Sequence, residues 1–142
     1  ILRYLVRYKC EKRMWLFGYI SDQSPKYLNI HCWLPFLNHD TPVFTGGEKI
    51  MKKMNDAVFY VDMQRPERGK YICTFRLITD KPAEMQENEI TTRFFKMLED
   101  TIKRDPRLYL WTHDRWKRNH EHFDKYYVME NGHVIKRKDV EL

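Results

Sequence analysis

An amphipathic pattern over residues 88–105 predicts a long helix. Its apolar side chains recur at intervals of three and four residues, so they share one helix face, while charged side chains occupy the other sides. The apolar face comprises Ile90, Phe94, Met97, Leu98 and Ile102. Two strand-like segments precede it at 57–63 and 71–78, and the turn residues at 65–69 separate them as in a hairpin. A long helix and a hairpin within 142 residues indicate a mixed α/β domain.

Three segments before the hairpin have patterns of their own. Residues 1–12 have the pattern of the end of an amphipathic helix with a basic polar side. The apolar run at 15–20 ends in the polar turn 21–25, which predicts a buried strand with a loop at its carboxyl end, where open α/β sheets bind ligands. Helical spacing predicts another helix over 48–55. Together these elements predict an α/β fold in which a partial mixed sheet is flanked by helices.

The residues after the long helix predict a second helix that contains 109–120. Asp105 is suited to its N-cap and Pro106 to its first position. On such a helix Leu108 and Trp111 face a core, and the neighbouring cations extend into solvent or toward lipid headgroups. These cations are Arg115, Lys117 and Arg118.

The last part of the chain reads as a separate unit. We predict that residues 1–118 form the main domain and that 119–142 are a charged tail. Within the tail, Asn131 and Gly132 form a favoured two-residue turn between short strand-like segments, so a small hairpin is expected there.

Charge and cysteine content exclude some classes of protein. Lys and Arg number 26 and Asp and Glu 20, which leaves a net charge of +6 and favours anionic partners without choosing among them. No stretch approaches the roughly 20 apolar residues that a membrane span needs. The three cysteines are far apart and show no zinc or disulfide spacing, which favours a reducing compartment.

Familiar catalytic motifs are missing from the sequence. There is no Gly-x-Ser-x-Gly elbow, no phosphate-binding Gly-x-x-x-x-Gly-Lys and no His-Glu-x-x-His. His120 and His122, with Asp124 nearby, could contact a metal, but two imidazoles in a polar segment are more often surface residues. We therefore predict neither a metal nor a cofactor.

Two features remain as candidate sites. Asp22 and Gln23 follow the predicted buried strand, where a carboxylate could accept a ligand hydroxyl or orient a cation, although turn formation also explains them. Gly46 and Gly47 precede a helix and could present backbone N–H groups to an anion, although a plain turn capped by Thr45 also explains them.

Six segments in this order resemble the carboxyl-terminal half of the bacterial lipid A biosynthesis acyltransferases, the lauroyl/myristoyl type. The most specific are the Asp22-Gln23 pair after a strand and the closing Tyr-Leu-Trp-Thr-His-Asp-Arg-Trp-Lys at 109–117. The others are Gly18 to Gln23 as a whole, Trp33 to Leu37, Pro42 to Gly47, Arg76 to Ile78 and Ile90 to Phe94. The resemblance covers about residues 1–118 and implies the carboxyl-terminal portion of a glycerolipid-acyltransferase-like fold.

The resemblance also implies a function. Members of this family work at the cytoplasmic face of the bacterial inner membrane, where they move a fatty acyl chain from acyl carrier protein or acyl-CoA to a hydroxyl of a glycolipid precursor of lipid A. No cofactor is implied. Asp22 and Gln23 would edge the active site, and Arg115, Lys117 and Arg118 would meet lipid phosphates at the membrane surface.

The catalytic pair of that family is missing from this chain. The family uses a His with an Asp or Glu five residues later, as general base and its acidic partner. None of the six histidines has an acidic residue at that spacing. The chain also begins without Met, so we expect a fragment of a longer acyltransferase that is soluble and inactive by itself.

A module without enzymatic activity is the alternative interpretation. Basic and aromatic residues at 109–118 could bind single-stranded nucleic acid or an acidic protein if the tryptophans and the cations shared one exposed face. Helical spacing separates Trp111 from Lys117 and Arg118, so nucleic acid is not the expected partner.

Overall fold

The computed structural model describes residues 2–11 and 14–138. Ile1, Lys12 and the end of the predicted tail at 139–142 lie outside the described residues. The helices are α1 Leu2–Cys10, α2 Gly46–Met54, α3 Glu89–Arg104 and α4 His120–Tyr126. The strands are β1 Cys32–Phe36, β2 His39–Val43, β3 Val58–Glu67, β4 Lys70–Thr79, β5 Tyr127–Glu130 and β6 His133–Lys136. This composition confirms the mixed α/β class.

The strands of the described residues pair only with their sequence neighbours. They form three two-stranded antiparallel sheets, β1 with β2, β3 with β4 and β5 with β6. The predicted partial mixed sheet is therefore not observed in the part of the chain that the structure describes. Local turns decide these pairs, since a hairpin needs only a short connection while a parallel pair needs a crossover.

Helix α3 and the β3–β4 hairpin confirm the clearest sequence predictions. The helix buries Ile90 and Ile102 against the molecule, and Phe94, Met97 and Leu98 pack partly buried beside them. The small β5–β6 hairpin is confirmed as well. Its turn places Asn131 at φ 49° and Gly132 at φ 77°, the left-handed region that this kind of turn requires.

Aromatic side chains join the hairpins to the helices. Phe36 of β1 packs edge-to-face on Phe95 of α3, with ring centroids 5.2 Å apart, which joins the first hairpin to the long helix. Tyr127 of β5 and Phe123 of α4 pack with Ile30 in a second cluster. The predicted tail is therefore packed onto the first part of the chain through an apolar cluster.

Two predicted elements are wrong. Residues 15–20 form no strand; among the described strands none pairs with this segment, and an apolar run without a hydrogen-bonding neighbour cannot remain a strand. The second predicted helix is also absent. Asp105 does cap a turn, since its side chain accepts a hydrogen bond from the N–H of Arg107, but only the short 3-10 turns Pro106–Leu108 and Trp111–His113 follow.

Candidate functional site

A large cavity lies between the segment 14–19, helix α2, strand β3 and helix α3. Its volume is about 770 Å³. Most of its lining is apolar, and the side chains that reach it include Trp15, Phe44, Met51, Ile90 and Phe94. Such a volume falls within the range of about 300–1,000 Å³ that is usual for small-molecule sites. The cavity can therefore enclose an apolar ligand of substantial size.

Two carboxylates face this apolar cavity. Glu48 on α2 is buried, and its Oε2 accepts hydrogen bonds from the N–H of Thr91 at 2.9 Å and from its hydroxyl at 2.6 Å. The other oxygen, Oε1, lies 3.3 Å from the Lys52 ammonium. Asp56 lies on the same wall, and its charge together with burial raises the pKa of Tyr19. The wall can thus accept a hydrogen bond from a ligand while its remaining surface is apolar.

The start of α2 adjoins the segment with the candidate Asp22-Gln23. A methyl group placed on Gly47 would lie 3.5 Å from the Tyr19 ring and 3.9 Å from the Ser21 hydroxyl. Gly46, by contrast, faces open space. Thr45 occupies the N-cap, as expected, but its side chain makes no capping hydrogen bond. Whether Gly46 and Gly47 bind an anion stays a prediction.

The loop that carries Asp22 is docked on the residues 113–118. The N–H of Ser24 donates to Nε2 of His113 at 3.1 Å, and Arg118 donates to the Ser24 hydroxyl at 3.3 Å. The Arg118 guanidinium also lies over the Tyr27 ring, 5.8 Å from its centroid. Two candidate regions that are about 90 residues apart in the sequence therefore meet in the fold.

The orientation predicted for Arg115 is wrong. Its side chain does not extend into solvent: the residue is only 2 % exposed, and its Nη2 donates to the carbonyl oxygen of Pro42 at 2.6 Å. Burial lowers its pKa, opposed by the nearby Tyr109 and Asp22. The segment is not one helix, because the backbone is extended at Tyr109, with φ −105° and ψ 141°, and Asp114 turns to φ 50° directly before Arg115.

The remaining side chains of this stretch divide between surface and interior. Trp111, predicted to face a core, is 50 % exposed. Trp116 is partly buried and donates its Nε1–H to the Thr41 hydroxyl at 2.8 Å. Lys117 and Gln23 are exposed. Since Arg115 and Trp116 are withdrawn, the stretch does not form the exposed platform that the nucleic-acid interpretation requires.

Sequence reasoning missed Tyr109 and His113 as parts of this site. Tyr109 is buried, which raises its pKa, and its hydroxyl has no hydrogen-bond partner in the described structure. His113 was considered as part of the closing motif and as a candidate general base, but not as the residue that anchors the loop of Asp22. Their spacing carries no signal, because both roles depend on a contact with residues far away in the chain.

The two histidines that were considered as metal ligands, His120 and His122, contact an acidic and several aromatic side chains. His120 contacts the Asp40 carboxylate and stacks on Trp33, and His122 lies beside Tyr27. No group of three or more potential metal ligands occurs in residues 2–11 and 14–138. Nor does any helix of these residues have the length and apolar character needed to cross a membrane.

Comparison with known proteins identifies the family. The family model described as bacterial lipid A biosynthesis acyltransferase matches residues 11–118 of the 142. No curated protein and no solved structure matches the chain significantly. The matched span contains the cavity lining, the Asp22-Gln23 loop and the stretch at 109–117. The chain belongs to the bacterial lipid A biosynthesis acyltransferase family.

Proposed function

We propose that the protein transfers a fatty acyl chain from a thioester carrier to a hydroxyl of a glycolipid precursor of lipid A. The carrier is acyl carrier protein or acyl-CoA, and the reaction takes place at the cytoplasmic face of the bacterial inner membrane. Family membership supports acyl transfer in lipid A biosynthesis. The exposed Lys117, together with the net charge of +6, is suited to anionic lipid headgroups.

The cavity beside α2 is the observation that carries the proposal for this chain. Its volume of about 770 Å³ and its lining by Met51, Phe94 and Ile90 suit an alkyl chain. Burying such a chain contributes about 0.8 kcal/mol for each CH₂ group. The charged groups on the wall, Glu48 and Asp56, are carboxylates, which repel a free fatty acid and tolerate a neutral thioester. We therefore assign the acyl chain of the donor to this cavity.

The residues of this chain supply binding and not the proton transfer. Acyl transfer to a hydroxyl needs a general base to accept the hydroxyl proton. None of the six histidines is followed five residues later by an acid, and we propose that the 142 residues do not catalyse the transfer by themselves. Asp22 and Gln23 edge the reacting centre in this proposal, since their loop lies next to the cavity lining at Tyr19 and Ser21.

A binding titration tests the assignment. Neutral acyl thioesters of N-acetylcysteamine, with six to twelve carbons, are titrated against the chain loaded with the neutral fluorescent probe N-phenyl-1-naphthylamine. We expect displacement that strengthens with each added CH₂ and weakens at least fivefold in Met51→Glu, which places a charge on the cavity wall. Met129→Glu is the matched control, because Met129 is exposed on β5 outside the cavity.

Two results would contradict the proposal. Binding that does not depend on acyl length would show that the cavity does not hold the chain. Equal binding by Met51→Glu and Met129→Glu would show that the thioester binds elsewhere. In a transfer assay with a lipid A precursor, acyl transfer by the 142 residues alone would overturn the assignment of binding without proton transfer.

A further inference from the structure

The two motifs that are most specific to the family form one unit in the fold. Ser24, two residues after Asp22, is hydrogen-bonded to two residues that flank Arg115 in the sequence. His113 accepts from the Ser24 N–H, and Arg118 donates to the Ser24 hydroxyl. These distances are 3.1 and 3.3 Å. The loop that carries Asp22 is therefore fixed against the segment that carries Arg115.

The Arg115 guanidinium is buried without a full set of partners. Nη2 donates to Pro42, but Nε and Nη1 are buried and have no hydrogen-bond partner in the described structure. The centroid of the Phe95 ring lies 5.6 Å from the guanidinium carbon, and the ring has no oxygen or nitrogen atom that could accept a hydrogen bond from Arg115. A buried cation with unmade hydrogen bonds is costly unless an anion compensates it. The surroundings of the Arg115 guanidinium therefore favour a carboxylate or another anion next to it.

Asp22 is the carboxylate that the fold brings to Arg115. It is half-buried, and its charge acts on Arg115 and on the neighbouring Tyr109 hydroxyl. In the described structure the guanidinium donates to Pro42, and the Ser24 contacts keep the loop of Asp22 beside the segment of Arg115. Arg115 does not line the cavity beside α2, whereas the loop that carries Asp22 is fixed against its own segment.

We propose that Arg115 is a positioning residue that pairs with the Asp22 carboxylate and holds it at the edge of the acyl-transfer site. The Ser24 contacts favour this pairing, because they fix the loop that carries Asp22 against the segment that carries Arg115. The role in positioning rests on the proposed function, but the pairing itself does not. The two parts are therefore tested separately.

A double-mutant cycle on the 142-residue chain tests the pairing. Urea unfolding is followed by tryptophan fluorescence for Asp22→Asn, Arg115→Gln and the double variant. We expect the unfolding equilibrium constant to rise about tenfold for Asp22→Asn, and the double variant to be no less stable than Arg115→Gln, because the second change removes an interaction that is already lost. Asp114→Asn is the control, since Asp114 is exposed and Asn tolerates its left-handed backbone. Additive effects of Asp22→Asn and Arg115→Gln would overturn the pairing.

A spectroscopic measurement decides the matter if Arg115→Gln does not fold. The Nε–H resonance of Arg115 should shift upfield in Asp22→Asn, because a neutral amide deshields the proton less than a carboxylate does. It should stay in place in Asp114→Asn. An Arg115 resonance that is the same in the wild type and in Asp22→Asn would overturn the pairing.

Kinetics of the protein encoded by the complete open reading frame test the positioning. We expect Asp22→Asn and Arg115→Lys each to lower kcat about tenfold with KM for the acyl donor within twofold, and the double variant to be no slower than the single ones. Unchanged kcat in Arg115→Lys would overturn the positioning role. A wild-type protein without acyl transfer would contradict the proposed function. The double-mutant cycle would still test the pairing of Asp22 with Arg115 in that case.

Discussion

Asp62 and Arg115 are both almost fully buried charges, and the fold treats them in opposite ways. Asp62 on β3 is paired with Arg104 of α3 at 2.6 Å and with Arg76 of β4 at 2.7 Å, and Thr101 donates to it at 3.1 Å. The Arg115 guanidinium makes a single hydrogen bond to the described residues, from Nη2 to a carbonyl oxygen. One buried charge is compensated from two elements, and the other lacks a counterion in direct contact.

The difference separates residues that hold the fold from residues that are available for function. The Asp62 pairs connect the β3–β4 hairpin to α3, and the hydrogen bond from Arg104 holds the pKa of Asp62 below its ordinary value. At Arg115 burial dominates and lowers the pKa of the guanidinium. Uncompensated buried charges are uncommon and concentrate at functional sites. The contrast therefore supports the assignment of Arg115 and Asp22 to the site.

The largest effect is expected when the compensated charge loses its strongest partner. Arg104→Met removes two hydrogen bonds to the buried Asp62 carboxylate and leaves Arg76 alone to neutralise it. We expect the free energy of unfolding to fall by about 3 kcal/mol, as for buried pairs that lose one member. Urea denaturation measures this loss.

Arg107→Met is the matched control for this change. The Arg107 guanidinium is exposed, and its partner Asp105 keeps the hydrogen bond from the Arg107 N–H when the guanidinium is removed. The unfolding midpoint should hardly move. Equal losses of unfolding free energy in Arg104→Met and Arg107→Met would mean that the ion pair between Arg104 and the buried Asp62 adds no more to stability than the pair of Arg107.

A fall in pH should also remove the contribution of Asp62 to the stability of the fold, with a smaller effect than Arg104→Met. Because the folded state lowers the pKa of Asp62, the carboxylate stabilises the fold fully above its ordinary value of 3.8, and the contribution is lost as the pH falls through the lower folded-state value. The melting temperature of the wild type should therefore drop more steeply below that pH than the melting temperature of Asp62→Asn. Asp100→Asn, at an exposed position of α3, should keep the wild-type profile.

The smallest effects come from the two buried tyrosines beside these charges. Tyr60 donates to the Thr101 hydroxyl at 2.8 Å, while the Tyr109 hydroxyl has no partner in the described structure. Tyr60→Phe should cost about 1 kcal/mol, the usual net value of a hydrogen bond. Tyr109→Phe should cost nothing or stabilise slightly, since no hydrogen bond is lost. Equal losses in the two variants would show that the Tyr109 hydroxyl is compensated in solution.

Much of the fold was predictable because its signals are local. The stripe that includes Ile90 and Ile102 defined α3, and Asn131-Gly132 defined the last hairpin, since both depend on residues within one element. The strand at 15–20 failed because a strand depends on its hydrogen-bonding neighbours, which an apolar run does not specify.

The candidate site was predictable only in part. Asp22 and Gln23 were proposed from their place after a predicted strand and then from a resemblance, which also named the three cations at 115–118. The fold joins the loop of Asp22 to the segment of Arg115. The burial of Arg115 could not be foreseen, because helical spacing from Pro106 does not show that the backbone becomes extended at Tyr109 and turns again at Asp114. The cavity was equally invisible, since its lining comes from segments between 14 and 94.

The sequence by itself determined the long helix, the β3–β4 and β5–β6 hairpins, the α/β class and the family, because these depend on spacing and on ordered motifs within the chain. Only the tertiary structure decided that Arg115 is buried, that Ser24 joins His113 and Arg118, and that α2 and α3 enclose a cavity. The physical reason is that burial and compensation of charge depend on which distant residues come into contact. Local pattern carries no information about those contacts.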